Sequence, residues 1–127
     1  MNGQKHILIV EDDQFIRNSM LELVESVGCS AAAVGNGREA INYLNECSVL
    51  PNLILLDLMM PVMDGFEFRV EQQKDPKICG IPVVIMSADG HVADKQARTS
   101  AYDYLKKPFE LESILAIVEK VCQSTPA

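Results

Sequence analysis

The chain has 127 residues, which suits one ordinary domain of about 100–150 residues with a core that needs no staples. Hydrophobic residues make up 48% and charged residues 23%, the profile of a soluble globular protein. A formal net charge of −7 argues against direct binding to nucleic acid or anionic membrane, both polyanions, and suits a domain that gathers divalent cations or docks on a basic patch.

In chain order, HILIV (6–10) is a continuous apolar run of strand length. Asp13 is placed to cap the next segment, where Ile16, Met20, Leu23, Val24 and Val27 recur at helical spacing, and Gly28 fits a left-handed stop. SAAAV (30–34) reads as a weak strand, and residues 37–47 as a helix on Ala40, Ile41 and Leu44. NLILLDL (52–58) is the third strand, followed by the turn PVMDG. A helix then runs from near Asp64 to about Lys74, where Asp75-Pro76 ends it. Phe66 and Val70 define its buried side, which leaves Phe68 as an exposed contact residue. IPVVIM (81–86) is the fourth strand, and the polar stretch 89–99 a weak helix. YDYL (102–105) is the last strand, and Leu111, Ile114, Leu115, Val118 and Val121 mark a closing helix.

Five strand–helix units in a row predict an α/β domain spanning 1–127, with a parallel sheet buried on both faces. Right-handed crossovers favour the doubly wound, flavodoxin-like order 2-1-3-4-5 with five helices. Cys29, Cys47, Cys79 and Cys122 form no CxxC pair and read as reduced, small apolar residues of a cytoplasmic protein. No apolar run reaches the length of a membrane span or forms a signal peptide, so no membrane partner is expected.

In such sheets ligands bind beyond the carboxyl ends of the strands. Glu11, Asp12 and Asp13 follow the first strand and Asp57 closes the third. Ser87 follows the fourth, and Lys106, Lys107 and Pro108 the fifth. Each residue alone has an ordinary explanation as a helix cap, a strand end, a turn hydroxyl or a solvated charge, and Asp13 is assigned to capping. Two carboxylates about 4 Å apart repel by about 4 kcal/mol at an effective dielectric of about 20, so an acid cluster must protonate or bind a cation. Oxygen ligands with no histidine or cysteine beside them favour Mg2+, with Mn2+ an alternative. A partly open metal beside a lysine and a hydroxyl suits phosphoryl oxygens, and a carboxylate can itself accept a phosphoryl group.

ILIVEDDQFIR, LILLDLMMPVMDG, VVIMSA and YLKKPF, in that order, resemble the receiver domain of two-component response regulators. With no output domain in the chain, the resemblance is to a single-domain, chemotaxis-type regulator. It implies that Asp57 is the phosphoacceptor and that a sensor histidine kinase or histidine phosphotransfer protein is the donor. It further implies that Asp12, Asp57 and the backbone carbonyl of Met59 ligate Mg2+, with Glu11 acting through water. Arg17 is the landmark that makes Glu11 and Asp12 the acid pair, with Asp13 outside it. Ser87 is implied as the switch hydroxyl and Ala88 as its small neighbour. Lys107, and not Lys106, is implied as the phosphate-pairing lysine, with a cis bond to Pro108. Tyr104 is implied as the aromatic switch.

The implied output surface for an unknown partner combines the 89–99 helix, the last strand and the closing helix. The segment between Ser87 and Lys107 is slightly shorter than the family's, and Ser100-Ala101 replaces its usual Gly-Ala. That helix is therefore expected to be short or irregular. The closing helix has no arginine to form the salt bridges of DNA-binding receiver dimers. Asp89 and Met59 occupy positions where the family varies its dephosphorylation rate.

The expected role is a phosphorylation-controlled switch or shuttle, not a turnover enzyme, with autodephosphorylation its only hydrolysis. An aspartyl-phosphate phosphatase or phosphotransferase needs a proton-donating acid two residues past its nucleophile, where this chain has Met59. A flavin module needs a hydroxyl-rich loop where it has EDD. A phosphate-independent pseudo-receiver would be expected to have lost the acids or the lysine. His6 and His91 have no second ligand at metal spacing.

Overall fold

A computed structural model describes residues 5–87, 101–106 and 111–123. Five strands, β1 (His6–Val10), β2 (Ser30–Val34), β3 (Leu53–Asp57), β4 (Val83–Ser87) and β5 (Asp103–Lys106), form one parallel sheet in the order β2-β1-β3-β4-β5. The helices are α1 (Gln14–Ser26), α2 (Gly37–Glu46), α3 (Gly65–Lys74) and α4 (Leu111–Gln123). The helix expected over 89–99 lies outside the described residues.

Strand alternation sorts the core into two layers. Ile7, Ile9, Leu53, Leu55, Val84, Met86 and Leu105 face one side, where Met20 and Val24 of α1 and Ile114, Ile117 and Val118 of α4 cover them. Leu8, Val10, Ile54, Leu56, Val83 and Ile85 face the other, under Ala40 and Leu44 of α2 and Phe68 of α3. Both faces of the central strands are thus buried, which is why they read as unbroken apolar runs. β2 is an edge strand, and its alanines are only half-buried.

The caps follow the sequence chemistry. Asp13 Oδ1 accepts from Ile16 N at 3.0 Å and starts α1. Gly28, at φ +90°, lets the chain leave it in the left-handed region. Val27 sits beyond the last turn and is exposed, so it does not belong to the buried stripe. Asp64 and Glu67 form a reciprocal capping box at the start of α3.

The expected face of α3 is wrong. Phe68 is fully buried and Val70 is half-exposed; Gly65, Phe68, Arg69 and Gln72 point inward. Two of these four are polar, which hides the apolar period. Gln72 Nε2 donates to the carbonyls of Ile78 (2.9 Å) and Ile81 (3.2 Å), while its Oε1 accepts from Arg69 Nη1. The buried amide therefore holds the loop leading into β4. Among the cysteines described, Cys29 is buried, Cys47 half-buried and Cys79 exposed, so the apolar-core reading holds only for Cys29.

Candidate functional site

The site is set by where the strands end. Val10 pairs with Leu56 and Asp57 with Met86, so Glu11 and Asp57 emerge side by side at the carboxyl edge. Glu11, Asp12 and Asp57 each place a carboxylate oxygen within 4.8 Å of the others, and Asp13 is absent from the group. Glu11 and Asp57 are buried and Asp12 is exposed. Mutual repulsion at this spacing, in a partly desolvated setting, makes the trio a seat for a cation. Three oxygen donors with an exposed side fit a hard divalent ion that retains water.

Local bonds fix the acids. Glu11 Oε2 accepts from Asp13 N at 3.1 Å, and Asp57 Oδ1 accepts a long bond from Met59 N at 3.4 Å. Leu58 N donates to Met86 O (3.2 Å), and Gly65 N to Leu58 O (2.9 Å), tying the end of β3 to β4 and to α3. A Cβ on Gly65 would stand 2.7 Å from Asp57 O and 2.8 Å from Leu58 Cα, so only glycine lets α3 start this close to the site. Val62 adopts φ +68° while 79% exposed, a left-handed conformation that a β-branched residue rarely takes.

Ser87 closes β4, buried, opposite Lys106 of β5. Tyr104 is half-buried and packs against the core layer beneath α2 and α3. The Met59 side chain is exposed, as suits a residue expected to contribute only its backbone. Ala88, Asp89, His91, Lys107 and Pro108 lie outside the described residues.

His6 behaves in a way its lone position in the sequence does not announce. Its ring is bonded at Nδ1 to Ser30 Oγ (2.6 Å) and at Nε2 to the Tyr43 hydroxyl (2.5 Å), at the amino end of the sheet. Burial pushes its pKa down against a smaller upward pull from a hydrogen bond to the Ser30 backbone. The three residues come from three separate elements, β1, β2 and α2, so no sequence motif could mark them.

The model of the response regulator receiver domain matches residues 7–119. The chain belongs to the response regulator receiver domain family. Its receiver sequence is 32% identical over 98% of the chain to an uncharacterised 14.6 kDa protein of Leptolyngbya boryana, covering 95% of that protein. It is 34% identical over 92% of the chain to the phosphate regulon transcriptional regulatory protein PhoB of Escherichia coli, but spans only 51% of PhoB. Among solved structures, the phosphorylated cyanobacterial phytochrome response regulator RcpA superposes with a TM-score of 0.75 at 29% identity, covering 98% of this chain and 97% of that one. The parallel order, the acid trio and the family match agree on a phosphorylation-controlled signalling domain. Among the described residues, no helix of this receiver domain is long and apolar enough to cross a membrane.

Proposed function

We propose that Asp57 accepts a phosphoryl group from a phosphohistidine on a sensor histidine kinase or phosphotransfer protein, and that its phosphorylation state sets a partner-binding surface. The observation that carries this reading is the convergence of Glu11, Asp12 and Asp57 at the carboxyl edge of a receiver sheet. An Asp57 oxygen attacks phosphorus in line, the P–N bond breaks, and the imidazole departs with the electron pair. When bound, Mg2+ (or Mn2+) supplies positive charge that offsets the charge on the transferring oxygens.

Asp12 and Asp57 would hold that ion directly, with the Met59 carbonyl, and Glu11 through water. Lys107, on the resemblance, pairs with the phosphoryl group. Ser87 turns toward the new oxygens, Ala88 leaves it room, and Tyr104 follows into the vacated space, a two-state element biased by local charge. Met59 supports a switch over a hydrolase, since a thioether carries no proton to donate to a leaving group. The output surface is the face of the 89–99 segment, β5 and α4. There Tyr102 is half-exposed, with the Lys120 ammonium 5.4 Å from its ring centroid. The domain acts in the cytoplasm and contacts neither nucleic acid nor membrane directly.

The test is incubation with Mg2+ and a small acyl-phosphate donor, read by intact mass. The wild type should gain one phosphoryl group in an acid-stable, base-labile linkage, and Asp57→Asn should not. Failure of the wild type to gain it refutes the proposal.

A further inference from the structure

Arg17 lies half-buried in the first turn of α1 and holds three successive carbonyls of the β1–α1 turn. Its Nη1 donates to Glu11 O at 2.8 Å and to Asp12 O at 3.4 Å, and its backbone N–H donates to Asp13 O at 2.9 Å. Glu11 N is anchored from the other side by Val34 O at 3.0 Å. Among the described residues the ion pair within 4 Å is Lys74–Glu71, so the guanidinium sits on the backbone of the acids and not on a carboxylate.

We propose that Arg17 is a positioning residue for the cation site. This rests on the receiver reading of Glu11, Asp12 and Asp57. Three carboxylates without a cation repel one another, and Asp12 is exposed, so among the described residues its backbone is what keeps it near the other two. By clamping the peptides on both sides of Asp12, Arg17 leaves only side-chain torsions free and holds the trio converged before the ion arrives. The ordering cost of assembling the ligands is then met during folding and not on binding.

A positioning role and a simple charge effect have opposite signs. A guanidinium near three acids opposes a divalent cation by Coulomb repulsion, so if charge were all, Arg17→Met would tighten Mg2+ binding. The clamp predicts the reverse. Mg2+ titration calorimetry on the full chain should show Arg17→Met weakened about tenfold or more, the range for lost outer partners of metal ligands. Arg17→Lys, which keeps the charge on a shorter and more flexible side chain, should fall between the two.

Thermal melts in EDTA separate the roles. A merely structural arginine would lower the midpoint and leave the affinity of the folded protein unchanged. Unchanged or tighter Mg2+ binding by Arg17→Met overturns the inference. If that variant does not fold, Arg17→Lys binding as tightly as wild type overturns it instead. A wild type that takes up no Mg2+ removes the cation-site reading and this inference together; a wild type that binds while the variants bind equally removes only the inference.

Discussion

Replacing Gly65 with alanine tests how closely the site depends on the packing of α3 against β3. The added Cβ would stand 2.7 Å from Asp57 O, 2.8 Å from Leu58 Cα and 2.8 Å from Leu58 Cδ2. Two of these atoms are backbone, and the backbone is tied by Leu58 N to Met86 O and by Gly65 N to Leu58 O. Relief must therefore come from moving the start of α3 away from the strand. Overpacking of this kind costs about 1–3 kcal/mol. The change from glycine to a better helix former returns roughly 0.5–1 kcal/mol. The net effect centres on a loss of about 1 kcal/mol, at most about 2.5 kcal/mol, equivalent to roughly 4 °C and at most roughly 9 °C in Tm for a domain of this size. Urea melts of Gly65→Ala and Gly80→Ala make the comparison, because Gly80 has open space around it and no positive φ. Gly80→Ala should stay within about 0.5 kcal/mol of wild type. If Gly65→Ala is as stable as wild type, the close approach of α3 to Asp57 is not what the geometry implies.

Three further outcomes are expected. Val62→Asn should raise stability by about 1 kcal/mol in urea melts, since asparagine tolerates the left-handed backbone that Val62 occupies at φ +68°; a loss would contradict it. Phe68→Ala should cost about 3–5 kcal/mol, against less than about 0.5 kcal/mol for Val70→Ala, and the reverse order would restore the sequence-based view of α3. Burial lowers the His6 pKa in the folded state, so the fold prefers the neutral ring and the unfolded chain takes up the proton first. The contribution of His6 is then fully present above its unfolded pKa of about 6.5 and is lost as pH falls below it. Melts of wild type and His6→Gln between mildly acidic and neutral pH should show a smaller pH slope in the variant.

Much of this was legible in the sequence because it rests on local chemistry. Continuous apolar runs marked β1, β3 and β4, and Asp13, Gly28 and Asp64 marked the ends of α1 and the start of α3. The acids Glu11, Asp12 and Asp13 were legible as a cluster because they follow one strand and the register of a parallel sheet brings that end beside Asp57, while the choice of Glu11 and Asp12 as the pair rests on the family resemblance. What escaped detection depends on which groups the side chains reach, which residue type and spacing do not state. The buried side of α3 carries Arg69 and Gln72, whose polarity is satisfied by each other and by carbonyls of Ile78 and Ile81. No periodicity of apolar residues can reveal such a face. The His6–Ser30–Tyr43 chain was hidden because sheet register and helix docking fix its partners, whereas Arg17 reaches carbonyls only five and six residues back, and what stayed hidden is that its guanidinium takes backbone oxygens and not a carboxylate.

Asp57 is proposed to carry the phosphoryl group, and locating the acyl phosphate tests this most directly. After phosphorylation in Mg2+, borohydride reduction converts an aspartyl phosphate to homoserine, which peptide mass spectrometry can place. Homoserine at position 57, dependent on Mg2+ and on the phosphodonor, is the predicted result. Homoserine at Asp12 or Asp64, or modification of the wild type that persists in Asp57→Asn, would contradict it.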